Sequence, residues 1–417
     1  LLCEFRSREE SPYYKEKDLY KNIGFLLKEK GEEFLGVFSP LPGEGRVTAL
    51  EKKKESKNPP LLYNLAELQN ECSKSLKISP DECLKLVQEL YEKKMCTYPR
   101  TDARVLSTAV AKEIEKNIQG LLSFSPYAKY AKEVLAMNSV KSIARSRYTD
   151  DKKITDHYAI IPTGQGAGQY NSLSYQGKRV LDFIIRRFLS IFYPAAEYKK
   201  IALEIEVSGE CFVANEKVLT KEGYLCLYQK KDKDKETSSA DSTGSGNGQG
   251  SEETESEEAV TESGNPKLSE LKKGAKLYLQ ELKLKEGETQ PPKRYTSGSM
   301  ILAMENAGKL IEDEELRAQI KGSGIGTSAT RAGILSKLEK NEYIHLEKKN
   351  QQLSPSELGE KIVQILSKSI PALLNPTLTA SWEKGLSYVE GGEISEEEYM
   401  RKLEAFVEKN TNKVKSL

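Results

Sequence analysis

Residues 79–104 read SPDECLKLVQELYEKKMCTYPRTDAR, a helical pattern that runs straight into an extended polar segment. Ser79 fits an N-cap, Pro80 the first helical position, and Glu82 completes a capping box. Leu84, Val87 and Tyr91, joined by Leu86 and Leu90, form the expected apolar stripe. Pro99 fixes its own φ and pushes the residue before it toward an extended backbone, which places Tyr98 beyond the helix. Side chains two apart in such a segment share a face, so Tyr98 and Arg100 can address one anion together. A tyrosine hydroxyl ionises near ~10; a guanidinium beside it lowers that value and steadies charge building on phosphorus. On these residues alone a loop tyrosine beside a surface arginine is the commoner arrangement. The rest of the chain has to decide.

The 417 residues suffice for two or three domains with real cores. A charged content of 30% and a mean hydropathy of −0.59 imply a large hydrophilic surface. No apolar run approaches the roughly 20 residues that span a bilayer, and the start has no secretory pattern. The chain opens LLCEF without Met, which suggests a fragment or a processed product. Six cysteines without C-x-x-C spacing give neither a zinc ribbon nor a disulfide framework, so a reducing, cytoplasmic setting is expected. With His157 and His345 alone, a multi-histidine metal site is not expected. From Glu236 to Glu262 there are eight acids and no Lys or Arg, so the net charge of +1 hides a basic remainder. That balance is compatible with a polyanionic partner.

Residues 230–266 are rich in Ser, Gly, Glu and Thr and nearly free of large apolar side chains, so a disordered insertion is expected. Its flanks, YKKIALEIEVSG and KLYLQELKLKEG, alternate like strands of one β domain. Another strand pair is expected in NIGFLLKEKGEEFLGVF, turning at Lys30 and Gly31. Helices are expected near 107–118 and 177–192, and through most of the chain after Tyr295.

Two further stretches carry possible chemistry. In ITDHYAIIPTG, His157 is either a hydrogen-bonded structural residue or a donor to a phosphate or leaving oxygen. In GSGIGTSATRAGILSKLEKNEYI, backbone N–H groups with Thr327, Ser328 and Thr330 at a helix start suit phosphate, although a simply capped helix fits equally. No Gly-Lys-Ser/Thr follows, so this is no Walker loop. Asp232, Asp234 and Glu236 form D-x-D-x-E, but alternating lysines in the insertion make it a solvated linker.

Together these segments resemble the type IA DNA topoisomerases, specifically the topoisomerase III branch. TYPRTD is similar to the family's active-site tyrosine motif and DHYAIIPTG to its histidine motif. PPKRYTSGSMILAMENAGK and GIGTSATRAGILSKL resemble stretches of its later helical domain, with RRFLSIFYP and SPSELGEKIV in the family's order. The resemblance implies an α+β multidomain protein, a toroidal core with a β hinge domain and two mainly helical domains. It places the first hinge part at 1–62, the tyrosine-bearing helical domain at 63–172, and the second hinge part with its insertion at 173–292. A helical domain binding single-stranded DNA follows at 293–417.

The implied activity is ATP-independent cleavage of one strand, passage of another and resealing, through a 5′-phosphotyrosine at Tyr98. Arg100 and His157 would act at the scissile phosphate. Thr101, Asp102, Thr327, Ser328, Thr330 and Arg331 would contact DNA. Ala103, Tyr158 and Ser328 depart from residues usual in the family. The family's N-terminal metal-binding domain has no counterpart in these residues. Mg²⁺ is therefore expected from that domain or from a separate chain supplying it, with no metal ligands here. The chain alone would bind single strands but relax supercoils poorly. A non-catalytic binding remnant or half of a split enzyme fits the same residues. A tyrosine recombinase, which wants its tyrosine late, does not. A nucleoid-associated, cytoplasmic location and no membrane contact follow.

Overall fold

The fold is that of a computed structural model describing residues 1–14, 19–20, 23–38, 41–228, 260–261, 271–311, 314 and 324–416. It divides into two units, Leu1–Pro59 with Pro194–Pro292, and Pro60–Tyr193 with Lys293–Leu417. The first is a sheet domain. Its strands are β1 (Glu4–Phe5), β2 (Leu19–Tyr20), β3 (Gly24–Phe25), β4 (Gly43–Lys57), β5 (Ala196–Val207), β6 (Glu210–Lys221), β7 (Val260–Thr261) and β8 (Lys276–Leu279). The main sheet runs β1-β6-β5-β4-β8, antiparallel throughout, with β7 parallel to β6. Ile201, Leu203, Ile205 and Val207 alternate into its core against Val47, Phe212 and Ala214.

Three expectations change here. The proposed strand pair in residues 22–38 is instead the short β3 followed by helix α1 (Lys28–Gly36). Gly31 marks close packing, not a turn: a Cβ there would lie 2.6 Å from Leu284 Cδ1. Phe34 and Phe38, four residues apart, then reach one aromatic cluster with Phe5 and Phe212. In KLYLQELKLKEG only β8 is a strand, since it pairs with no more of β4 than Gly43–Arg46. Conversely β4 itself, GEGRVTALEKKKESK, has only Gly45 and Val47 buried. Its extended form is set by pairing with β5 from Gly45–Val207 to Lys57–Ala196. The expected insertion at 230–266 and the D-x-D-x-E in it lie outside the described residues, apart from β7.

The second unit is helical. Helices α2 (Leu65–Leu76), α3 (Pro80–Glu92), α4 (Thr108–Gly120), α5 (Ala128–Leu135), α6 (Ser139–Ser142) and α7 (Tyr175–Ser190) form its first part. Ser79 Oγ accepts from the Glu82 N–H at 3.2 Å, as capping requires. The buried face of α3 is Cys83, Val87 and Leu90, one step round from the expected stripe, and Tyr91 is exposed. Where the sequence placed residues from 173 onward in the hinge, α7 buries Val180, Ile184, Ile185 and Phe188 within this helical unit. Arg187 ties it to the segment before α2, donating to the Leu61 carbonyl and the Tyr63 hydroxyl, both at 3.0 Å.

Residues after 293 belong to the same unit: α8 (Ser297–Glu305), α9 (Arg331–Lys340), the hairpin β9 (Ile344–Glu347) and β10 (Gln352–Pro355), α10 (Glu357–Ser369), α11 (Pro376–Glu390) and α12 (Glu396–Lys415). The hairpin interrupts the continuous helical run expected there. Helix α8 packs on α2, where a Cβ at Gly298 would fall 2.6 Å from the Asn70 Cα. No described helix is long and apolar enough to cross a membrane.

Candidate active site

Tyr98 sits on a short extended segment leaving α3. Lys94 turns the chain with φ 59°, and the Met95 N–H returns to the Leu90 carbonyl at 2.8 Å. The segment is then stitched to residues 157–163. Thr97 N–H donates to the Ile161 carbonyl at 2.9 Å, and Thr97 Oγ1 accepts from Ile161 N–H at 3.0 Å while donating to the Ala159 carbonyl at 3.1 Å. Thr163 N–H donates to the Met95 carbonyl at 3.1 Å. These bonds, rather than any side chain of the tyrosine, place the two sequence motifs side by side.

His157 consequently lies over Tyr98, ring centroids 4.4 Å apart and tilted 46°, while Tyr91 meets the other ring edge at 5.6 Å. Among the described residues neither the Tyr98 hydroxyl nor the His157 imidazole has a hydrogen-bond partner. Arg100 is exposed and has no carboxylate partner there either. The hydroxyl, the imidazole and the guanidinium are thus open to an incoming group.

The other expected site residues fall into two sets. Thr327 and Thr330 are exposed at the start of α9 and bond to each other, Oγ1 to Oγ1 at 3.1 Å, with Ser328 between them half-buried. The loop before them needs Gly324, at φ +65°, because a Cβ would lie 2.3 Å from the Met304 carbonyl. Thr101, Asp102 and Arg331 are instead occupied inside the protein. Thr101 is buried, its hydroxyl donating to the His157 carbonyl at 2.7 Å and accepting from Ala103 N–H at 3.1 Å. Arg331 is 1% exposed and holds Asp102 Oδ1 through Nη1 at 2.8 Å.

Around that ion pair is a polar cluster the sequence reading missed. Asn64 caps α2 by accepting from Glu67 N–H, and its amide donates to the Asp102 carbonyl at 3.1 Å and to Glu305 Oε1 at 2.6 Å. Glu67 binds Arg104 Nη1 at 2.5 Å. Burial pushes the Glu305 carboxyl up to about 7, aided by the Asp102 and Glu67 charges and opposed by Arg331 and the Asn64 bond. Glu305 lies in the quoted AMENAGK stretch, yet nothing in its spacing pointed to a partner at Asn64. The cluster binds four separate segments around the nucleophile strand.

Among the described residues no group of three or more His, Cys, Asp or Glu side chains could hold a metal ion. The expected Mg²⁺ finds no ligand set among these residues.

The sequence pattern of a family described as DNA topoisomerase matches residues 9–401. DNA topoisomerase 3 of Bacillus subtilis (strain 168) is 31% identical over 381 residues, covering 90% of this chain and 48% of that protein. DNA topoisomerase 3 of Bacillus licheniformis is 30% identical over 374 residues, covering 89% and 47%. The chain spans about half the length of these curated relatives. Full-length topoisomerase I from Thermotoga maritima shares the fold, with a TM-score of 0.62 over 94% of this chain and 55% of that one, at 20% identity.

Proposed function

The chain belongs to the type IA DNA topoisomerase family, and from that premise we propose that it works as a topoisomerase III-like strand cutter with Tyr98 as nucleophile. The Tyr98 oxygen bonds to a backbone phosphorus of single-stranded DNA and the bond from phosphorus to the 3′ oxygen breaks. The tyrosine proton is lost and the departing 3′ oxygen takes one up. The reverse attack reseals the strand, and since one phosphoester replaces another no ATP is consumed.

One observation carries this reading: the Tyr98 ring lies 4.4 Å from the His157 ring, and among the described residues neither the Tyr98 hydroxyl nor the exposed Arg100 two residues along has a partner. Arg100 offsets charge on the pentacoordinate phosphorus, and His157 donates a hydrogen bond or proton beside it. Thr327, Ser328 and Thr330 offer hydroxyls to the DNA backbone. Asp102, Thr101 and Arg331 hold the strand that presents the nucleophile. Their part is positioning.

The test is covalent capture. A 3′-end-labelled single-stranded oligonucleotide is mixed with the chain and Mg²⁺, with and without a supplied metal-binding domain, and run on a denaturing gel. The label is expected to move with the protein, and to be lost in Tyr98→Phe. An adduct that survives in Tyr98→Phe overturns the assignment. Binding without any adduct in the wild type would favour the alternative, a module that holds single strands without cutting them.

A further inference from the structure

The sheet unit carries a charged feature that the Tyr98 chemistry does not use. The β4–β5 register sets Lys54 directly opposite Lys199 and Lys53 opposite Lys200, and β6 brings Lys217 opposite Lys200. Directly opposed residues share a face, and like charges there repel. On one face that repulsion is answered. Glu55 holds Lys200 at 2.9 Å and Lys217 at 2.7 Å, and Lys53 pairs with Glu51 at 2.6 Å. On the other face it is not: Lys54 and Lys199 have no carboxylate partner among the described residues. Lys52, two residues from Lys54, adds a third positive charge to that face while its ammonium donates to the Leu271 carbonyl at 3.3 Å.

These three lysines line a groove of ≈ 690 Å³ at the end of the sheet. Its two carboxylates are Glu55, spent on Lys200 and Lys217, and Glu197, spent on Lys221 at 2.9 Å. A simpler explanation covers part of the pattern. β8 pairs only with Gly43–Arg46, and among the described residues no strand pairs with that side of β4 further on, where edge lysines discourage pairing with other chains. That explanation does not reach Lys199. It lies on β5, between β4 and β6, half-buried and facing a like charge.

We propose that Lys52, Lys54 and Lys199 form a binding site for the phosphate backbone of single-stranded DNA, a second contact apart from the Tyr98 strand. The choice of polyanion rests on the function proposed above. The chemistry of the groove makes the contact sequence-independent: lysines supply point charges, and Tyr198 is buried with the Lys217 ammonium 4.6 Å above its ring, so no base can stack on it.

The experiment measures anisotropy of a labelled oligo-dT strand with the full chain across a salt titration. The triple variant Lys52→Gln, Lys54→Gln, Lys199→Gln is compared with Lys276→Gln, Lys283→Gln, Lys285→Gln, which removes equal charge from the same unit. The slope of log K against log salt is expected to fall by about 2 in the first variant, at ~0.7 per phosphate contact, and to hold in the second. Equal slopes in both variants overturn the site. So does labelled poly-glutamate that binds the wild type as tightly as the DNA and is lost in the first variant, because the partner is then an acidic polypeptide. Adduct formation, scored in parallel, separates the two readings. A lost slope without any adduct supports the lysine site while removing the cutting function.

Discussion

The Tyr98 strand and the lysine end of the sheet handle charge in opposite ways. Around Tyr98 the charged groups that matter structurally are largely buried and partnered: Arg331 holds Asp102, Arg104 holds Glu67, and the Asn64 amide donates to Glu305. At the sheet end Lys54 is exposed and faces the half-buried Lys199, and neither has a carboxylate partner among the described residues. Buried, hydrogen-bonded pairs fix a geometry and lose little to salt, whereas exposed lysines attract any polyanion and are screened within about 8–10 Å. A reaction that needs an oxygen aimed at one phosphorus calls for the first arrangement. Holding a strand in place is served by the second.

The sharpest way to break this contrast is Arg331→Ala, which removes a buried guanidinium and leaves the partly buried Asp102 without its partner. Urea unfolding is expected to show a loss of about 3–5 kcal/mol, scarcely changed between low and high salt. A loss that vanishes in salt would put Arg331 in the same class as the lysines. Glu305→Gln tests the acid of the cluster. With its carboxyl raised from about 4.5 to about 7, the folded chain holds a proton there that the unfolded chain has released. Wild-type stability is therefore expected to fall as pH rises from about 4.5 to 7, by up to about 3 kcal/mol, and to level off above. Thermal melts of Glu305→Gln across that range are expected to lack this decline. The smallest effect is Ser79→Ala, which removes the cap of α3 and is expected to cost about 1 kcal/mol in the same melts, with adduct formation retained.

Much of the nucleophile site could be read from the sequence because its chemistry is local. Pro99 fixes the backbone of Tyr98, and the quoted motifs name His157 and Arg100 directly. The parts that could not be read depend on pairing across long separations. The family resemblance implied that Arg331 and Asp102 contact DNA, since local sequence does not say which charged side chains are buried. Only the fold shows that the two meet at 2.8 Å. The lysine run of β4 has no apolar alternation that marks a strand, and its extended form comes from its ladder with β5. Gly31 reads as a turn because the Leu284 side chain that occupies its space lies far along the chain.

The claim that Tyr98 is the nucleophile is tested most directly by locating the attached nucleotide. After reaction with single-stranded DNA, nuclease trimming and tryptic digestion, the peptide Met95–Arg100 is expected to carry a nucleotide on Tyr98. A nucleotide on the peptide that holds the neighbouring Tyr91, or none on any tyrosine, would contradict the account.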